Sequence, residues 1–254
     1  MHSFLYTASD AYLRFFDLAG REPALVLIHG LGASAGQAFV DVCRRAPLSE
    51  RRCILPDLLG FGHSDHPSAF LYSIEDHAAS VAALLDDLGL RGASVLGHSM
   101  GGAVAIVLAR TRPDLVSRLL LAEGHLDPTP GVVSGPIAAQ SESGFVRHGH
   151  VDLTRTLVSQ GFATYAGAFQ AANPAAVHRT AVSLIAARRP SYREMLLELP
   201  MPRVFFFGSK NLADADVRWL PEHGVPVRVI GDAGHDMMTD QPGAFAAAVA
   251  AFPA

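Results

Sequence analysis

Five residues, Gly97-His98-Ser99-Met100-Gly101, carry the clearest chemistry in the chain. They follow the apolar run ASVL and open the helix-compatible run MGGAVAIVLA. A serine at a strand-to-helix turn, with small residues two positions to either side, marks a tight elbow that lifts the hydroxyl above a sheet. The elbow also sets that hydroxyl at a helix N-terminus, whose amides favour negative charge. A serine nucleophile needs a base, and histidine suits neutral pH. His235, in Gly231-Asp232-Ala233-Gly234-His235-Asp236, follows the last β-like run and precedes the last helical one. That places it beyond a strand's C-terminal end, where ligands sit in open α/β sheets. His29-Gly30-Leu31-Gly32 closes the run ALVLI, and its glycines let backbone approach a substrate. The amides of Leu31 and Met100 are then the expected oxyanion donors.

These residues need a frame. Tyr12–Leu18, Ala24–His29, Arg52–Leu55, Ala93–Leu96, Arg118–Ala122, Arg203–Phe207 and Pro226–Ile230 read as strands. The runs ALVLIH, SVLGH and RVFFFG are nearly all apolar, as parallel strands covered on both faces require. Helical patterns lie between them at Ala35–Arg45, Ile74–Leu88, Met100–Arg110 and Gly243–Ala251. This alternation predicts a doubly wound α/β sheet. From His125 to about Leu199 no convincing β run occurs. GVVSGPIAAQ reads as loop, and the pieces around Val151–Phe162, Ala175–Ala187 and Tyr192–Leu199 read as helix. The expectation is a core at 1–124 and 200–254, interrupted by a helical cap at 125–199.

The segments HGLG at 29–32, PDLLGFGHSD at 56–65, GHSMGG at 97–102 and GDAGH at 231–235 make the chain resemble the α/β-hydrolase superfamily over nearly its whole length. Serine precedes histidine, the order that superfamily uses. The resemblance implies a mostly parallel eight-stranded sheet with helices on both faces and a helical cap inserted after strand 6. It also implies a serine hydrolase that needs no metal or organic cofactor. One position departs from the pattern. Many relatives carry the triad acid in a G-x-x-D segment after the seventh strand, but here the segment is Gly208-Ser209-Lys210-Asn211. An amide can orient His235 but does not stabilise its imidazolium as a carboxylate does. Glu123, directly after RLLLA, is the leading candidate acid, because some superfamily members with helical caps place it there. Asp127, Asp214 and Asp216 are the alternatives, as is a site without an acid.

A serine nucleophile points to acyl transfer through an acyl-enzyme, with a carboxylic ester or thioester as substrate. Lactone opening, C–C bond hydrolysis and acyl transfer to another acceptor use the same residues, and a non-catalytic ligand-binding protein is the rival class. His98, His125, Phe145, Phe162, Tyr165 and Met237 are the candidates for substrate contact. His125 is also a rival base, and the cap aromatics, with Phe169 and Tyr192, equally suit a cap core. His29 is expected to bond the loop backbone, and Asp57 to serve turn structure. His63 and His66 make too weak a pattern for a metal, and His148 and His150 read as surface.

Composition narrows the partners. Of 20 basic residues only Lys210 is lysine, no polybasic run occurs, and the net charge is -4. A nucleic-acid or anionic-membrane partner is therefore not expected. With half the residues apolar and 17% charged, disorder is excluded. The longest apolar runs, Gly101–Ala109 and Ala244–Phe252, fall short of a membrane span. No signal-peptide pattern opens the chain, and Cys43 and Cys53 make neither a disulfide framework nor a metal site. The expectation is a cytoplasmic protein, monomer or homodimer, acting on a small, neutral, apolar molecule.

Overall fold

A computed structural model describes residues 1–252. Its strands are β1 (His2–Tyr6), β2 (Ala11–Leu18), β3 (Arg21–Ile28), β4 (Arg51–Asp57), β5 (Ala93–His98), β6 (Val116–Ala122), β7 (Arg203–Gly208) and β8 (Val227–Ile230). All eight join one sheet in the order β1-β2-β4-β3-β5-β6-β7-β8. The β1–β2 and β2–β4 pairs are antiparallel, and every pair from β4 across to β8 is parallel. Only β1 has no counterpart among the seven runs read as strands. Its residues HSFLY are exposed or half-buried at the sheet edge, so no apolar run announces it.

Burial accounts for the strand types. β5 is buried throughout and β3 from Ala24 onward, as central parallel strands covered on both faces must be. Alternate residues serve opposite faces. Leu25, Leu27 and Phe206 pack on one side with α1 (Ala35–Cys43), while Val26, Ile28, Phe205 and Phe207 pack on the other with α2 (Ile74–Asp87) and α3 (Met100–Thr111). Local chemistry starts these helices where the sequence suggests. Ser73 and Asp76 form a reciprocal capping box on α2.

Between β6 and β7 the chain contains helices and no strand. These are α4 (Ser134–Ala138), α5 (Glu142–Gly144), α6 (His150–Ser159), α7 (Ala163–Ala171), α8 (Pro174–Ile185) and α9 (Tyr192–Glu198). α6, α8 and α9 fall where helical pieces were expected. α4 lies in the segment read as loop, since a single turn of five residues is too short to show a periodicity. α7 was not expected from ATYAGAFQA. Tertiary contacts hold it: Phe169 is fully buried, and the Tyr165 hydroxyl donates to the Leu31 carbonyl at 2.7 Å. α10 (Asp216–Glu222), α11 (Met237–Asp240) and α12 (Pro242–Ala250) complete the α-helices among the described residues.

Candidate active site

Ser99 stands between β5 and α3 with φ 53° and ψ −119°, a conformation that L-residues avoid. Three glycines make the turn possible. A Cβ at Gly97 would lie 2.2 Å from the Gly101 carbonyl oxygen, one at Gly101 2.3 Å from that of Ile28, and one at Gly102 2.6 Å from the Gly124 Cα. The backbone is then tied across the sheet, with Ser99 N–H donating to Ala122 and His125 N–H donating to the Ser99 carbonyl, both at 3.0 Å. Met100 opens α3, so its amide has no acceptor one turn back. Leu31 lies on the loop after β3 and lines the same cavity as Ser99.

Glu123 follows β6 directly, itself at φ 44°. Its carboxylate is 9% exposed and accepts from His235 Nδ1 at 3.0 Å and from the Gly208 amide at 3.0 Å. Asn211 Nδ2 reaches both carboxylate oxygens at 2.8 Å. Burial pushes the Glu123 pKa up, but the bonds from His235, Gly208 and Asn211 prevail and hold it below the usual carboxylate value. For His235 the balance is reversed. Burial pushes its pKa down, yet the bond to Glu123 and the charges of Asp236 and Glu123 leave it raised. With Nδ1 donating to Glu123, Nε2 is the nitrogen left for a proton in transit.

The loop that carries His235 is pinned from several sides. Lys210 N–H donates to the Ala233 carbonyl at 2.9 Å, and Gly234 N–H to Asp240 Oδ2 at 2.7 Å. His98 Nε2 donates to the His235 carbonyl at 3.0 Å. Gly208 lets the loop lie on β7, since a Cβ there would meet the Gly234 carbonyl oxygen at 2.3 Å.

These contacts sort the sequence candidates. Among the described residues Glu123 is hydrogen-bonded to His235, whereas Asp127, Asp214 and Asp216 are not. Asp127 and Asp216 instead flank Arg193 on α9: Arg193 Nε donates to Asp127 Oδ1 at 3.0 Å and Nη2 to Asp216 Oδ2 at 2.8 Å. Asp214 caps the Asp216 amide at 2.8 Å. Asn211, the amide at the position where many relatives carry the acid, donates to the Glu123 carboxylate. The clue was available: an amide where relatives carry a carboxylate fits a carboxylate arriving from the facing strand. His29 is fully buried and bonds backbone on both nitrogens, to the Gly30 carbonyl at 2.8 Å and the Leu58 amide at 3.1 Å. Asp57 accepts from the Ala35 amide at 2.7 Å and the His63 amide at 2.9 Å, a turn-holding role.

A cavity of about 800 Å³ opens over Ser99 and His235. His98, His125, Phe162 and Tyr165 line it. His125 Nε2 is buried there without a partner, and burial lowers the ring's pKa. Two candidates lie elsewhere. Phe145 is fully buried inside the cap, its ring 5.8 Å from that of His150 and 5.9 Å from that of His178. Met237 is fully buried in the core on the α1 side, and its neighbour Met238 lines the cavity instead. The surface reading fails for His150 as well, because its Nε2 donates to the Phe169 carbonyl at 2.8 Å from a buried position. His148 is exposed. No helix among the described residues is long and apolar enough to cross a membrane.

Known proteins share this architecture. An uncharacterized protein of Mycobacterium tuberculosis is 41% identical over 111 residues, which make up 43% of this chain and 31% of that protein's length. The match thus takes in about a third of that relative. An esterase from Thermogutta terrifontis superimposes with a TM-score of 0.80 at 24% identity, covering 98% of this chain and 96% of that one. The enol-lactonase from Burkholderia xenovorans LB400 gives a TM-score of 0.81 at 22% identity, with 98% of each chain covered. At these identities the solved structures speak for the fold. The profile of the family described as alpha/beta hydrolase fold matches residues 23–205, most of the chain, and the chain belongs to that family.

Proposed function

We propose that the chain is a serine hydrolase of neutral carboxylic esters or thioesters, with Ser99 as nucleophile, His235 as base and Glu123 as acid. In this reading the catalytic core is 1–124 and 200–254, of which 253–254 lie outside the described residues, and 125–199 is the cap. One observation carries it: the 3.0 Å contact of His235 Nδ1 with Glu123, at the cavity that holds the strained Ser99.

The steps follow from the geometry. Ser99 Oγ attacks the carbonyl carbon while His235 Nε2 takes its proton, and Glu123 stabilises the imidazolium. The oxyanion forms toward the amides of Leu31 and Met100, each such donor being worth about 10²–10³ in rate. The bond to the leaving group breaks as His235 returns the proton to that group. Water then attacks the acyl-enzyme, gives its proton to His235, and Ser99 regains its hydroxyl hydrogen. The same steps open a lactone, whose leaving alcohol stays attached to the acid.

Cavity chemistry supports a neutral substrate. Ala33, Ala38, Leu126, Leu157 and Phe162 supply apolar wall, while Asp127, Asp216, Asp214 and Asp236 outnumber Arg193 on the polar wall. A carboxylate-bearing substrate meets repulsion there. Cys43 and Cys53, both buried free thiols, suit a reducing cytoplasm. A fluorophosphonate probe should label Ser99 in wild-type protein and leave Ser99→Ala unlabelled. Wild type should also turn over a short-chain nitrophenyl ester. Folded wild-type protein that is neither labelled nor active would overturn the assignment.

A further inference from the structure

We propose that His98 is a positioning residue for the base: its ring N–H grips the main-chain carbonyl of His235 and sets where that imidazole stands relative to Ser99 and Glu123. The inference rests on His235 being the base. Its first support is covalent. His98 is the last residue of β5 and immediately precedes Ser99, so one strand end carries both the nucleophile and the clamp on its partner. One residue and one 3.0 Å hydrogen bond thus link the backbone of Ser99 to that of His235.

The clamp is rigid. His98 is 5% exposed, and Gly30 leaves just enough room for it, since a Cβ there would come within 3.1 Å of His98 Nδ1. Other bonds hold the loop at Ala233, Gly234 and Asp236, whereas His98 supplies the side-chain bond to the backbone of residue 235 itself. A carbonyl only accepts, so the His98 ring carries its proton on Nε2. Burial pushes its pKa down to about 3, which keeps the ring neutral at working pH. That neutrality matters, because the two imidazoles lie 4.8 Å apart. A cation at this position would oppose formation of the His235 imidazolium, whereas a neutral donor holds the loop without opposing it. The residue before the serine thus does more than line the cavity.

The test compares His98→Leu with His98→Gln in the full chain, using a short-chain nitrophenyl ester. Gln keeps an N–H able to reach the same carbonyl, and Leu does not. His98→Leu should lower kcat about tenfold or more with KM within about threefold of wild type, since slight misplacement of a catalytic group is costly. The acid limb of its kcat/KM profile should move to lower pH as the loosened ring loses contact with Glu123. His98→Gln should recover kcat to within about threefold of wild type. If His98→Leu does not fold, His98→Asn, too short to reach the carbonyl, takes its place. An unchanged kcat in the donor-less variant overturns the proposal, as does a raised KM alone, which would make His98 a substrate contact. So does a Gln variant no better than Leu. Lack of labelling in wild type would instead fault the serine hydrolase reading, independently of these variants.

Discussion

The sheet edge that bears Ser99, Glu123 and His235 and the cap above it are held together by different means. At the edge, backbone meets backbone. Gly97, Gly101, Gly102 and Gly208 each sit where a Cβ would come within 2.2–2.6 Å of another main-chain atom. Only one residue type fits such a position. In the cap, side chains do the holding: Phe145 packs among histidine rings, His150 stacks on Phe169 with centroids 4.8 Å apart, and Arg193 bonds Asp127 within the cap and Asp216 on the core's α10. Many side-chain combinations could fill that space equally well. The edge is built for geometry and the cap for enclosure, so substitutions in the two regions should fail differently.

The largest effect that tests this contrast is at the acid. Glu123→Gln keeps the shape of the side chain and removes its charge. Loss of charge at the equivalent position of a serine triad costs about 10⁴ in kcat, so a fall on the order of 10³–10⁴ is expected. The pH dependence should move as well. In the proposed mechanism His235 must be neutral to accept the Ser99 proton, and its pKa is raised above 6.5, so kcat/KM should fall as pH drops through that raised value. Glu123 supplies the strongest raising influence, through its hydrogen bond. In Glu123→Gln the acid limb should therefore shift to lower pH even as the maximum rate collapses. A loss below tenfold with an unmoved limb would remove Glu123 from the triad.

The same contrast explains what the sequence discloses. GHSMGG is readable because steric exclusion admits glycine alone: a Cβ at Gly97 would meet the Gly101 carbonyl, one at Gly101 that of Ile28, and one at Gly102 the Gly124 Cα. GDAGH is readable from its place between β8 and the last helices. Seven of the strands are legible as short β-like runs; β1 is not, because an exposed edge strand needs little apolar surface. Glu123 could be nominated only by its place after β6 and by the amide at Asn211. Its hydrogen bonds span 85, 88 and 112 residues of sequence, beyond any local pattern. The cap is least legible. Nothing near His150 marks it as buried, since its partner is the carbonyl of Phe169 on another helix. Phe145 and Phe162 look alike in sequence, yet one is core and the other cavity wall.

A smaller effect is expected at Asn211, which sits on the edge and donates to the Glu123 carboxylate. Asn211→Ala deletes the bonds to both Glu123 oxygens and leaves those from Gly208 and His235. A hydrogen bond to a charged group is worth about 1.5–3 kcal/mol, and a carboxylate that keeps two partners should forfeit less. Turnover should drop about tenfold, far less than in Glu123→Gln, with KM little changed. If steady-state kinetics gave the reverse order, the acid would have to be sought elsewhere.

The smallest expected effect on rate belongs to the cap interior, and it separates enclosure from contact. Phe145→Leu trims a fully buried ring that does not line the cavity. The lost packing should cost about 1–2 kcal/mol. In a chain of this length each kcal/mol lowers Tm by roughly 2–4 °C, so calorimetry should register the change clearly. kcat and KM for the nitrophenyl ester should stay within about twofold of wild type. Phe162→Ala should behave in the opposite way, because that ring is half exposed at the cavity wall. Its removal should raise KM and leave Tm nearly unmoved. If both substitutions altered KM alike, the cap would be shaping the substrate site through its packing, and the division between a geometric edge and an enclosing cap would fail.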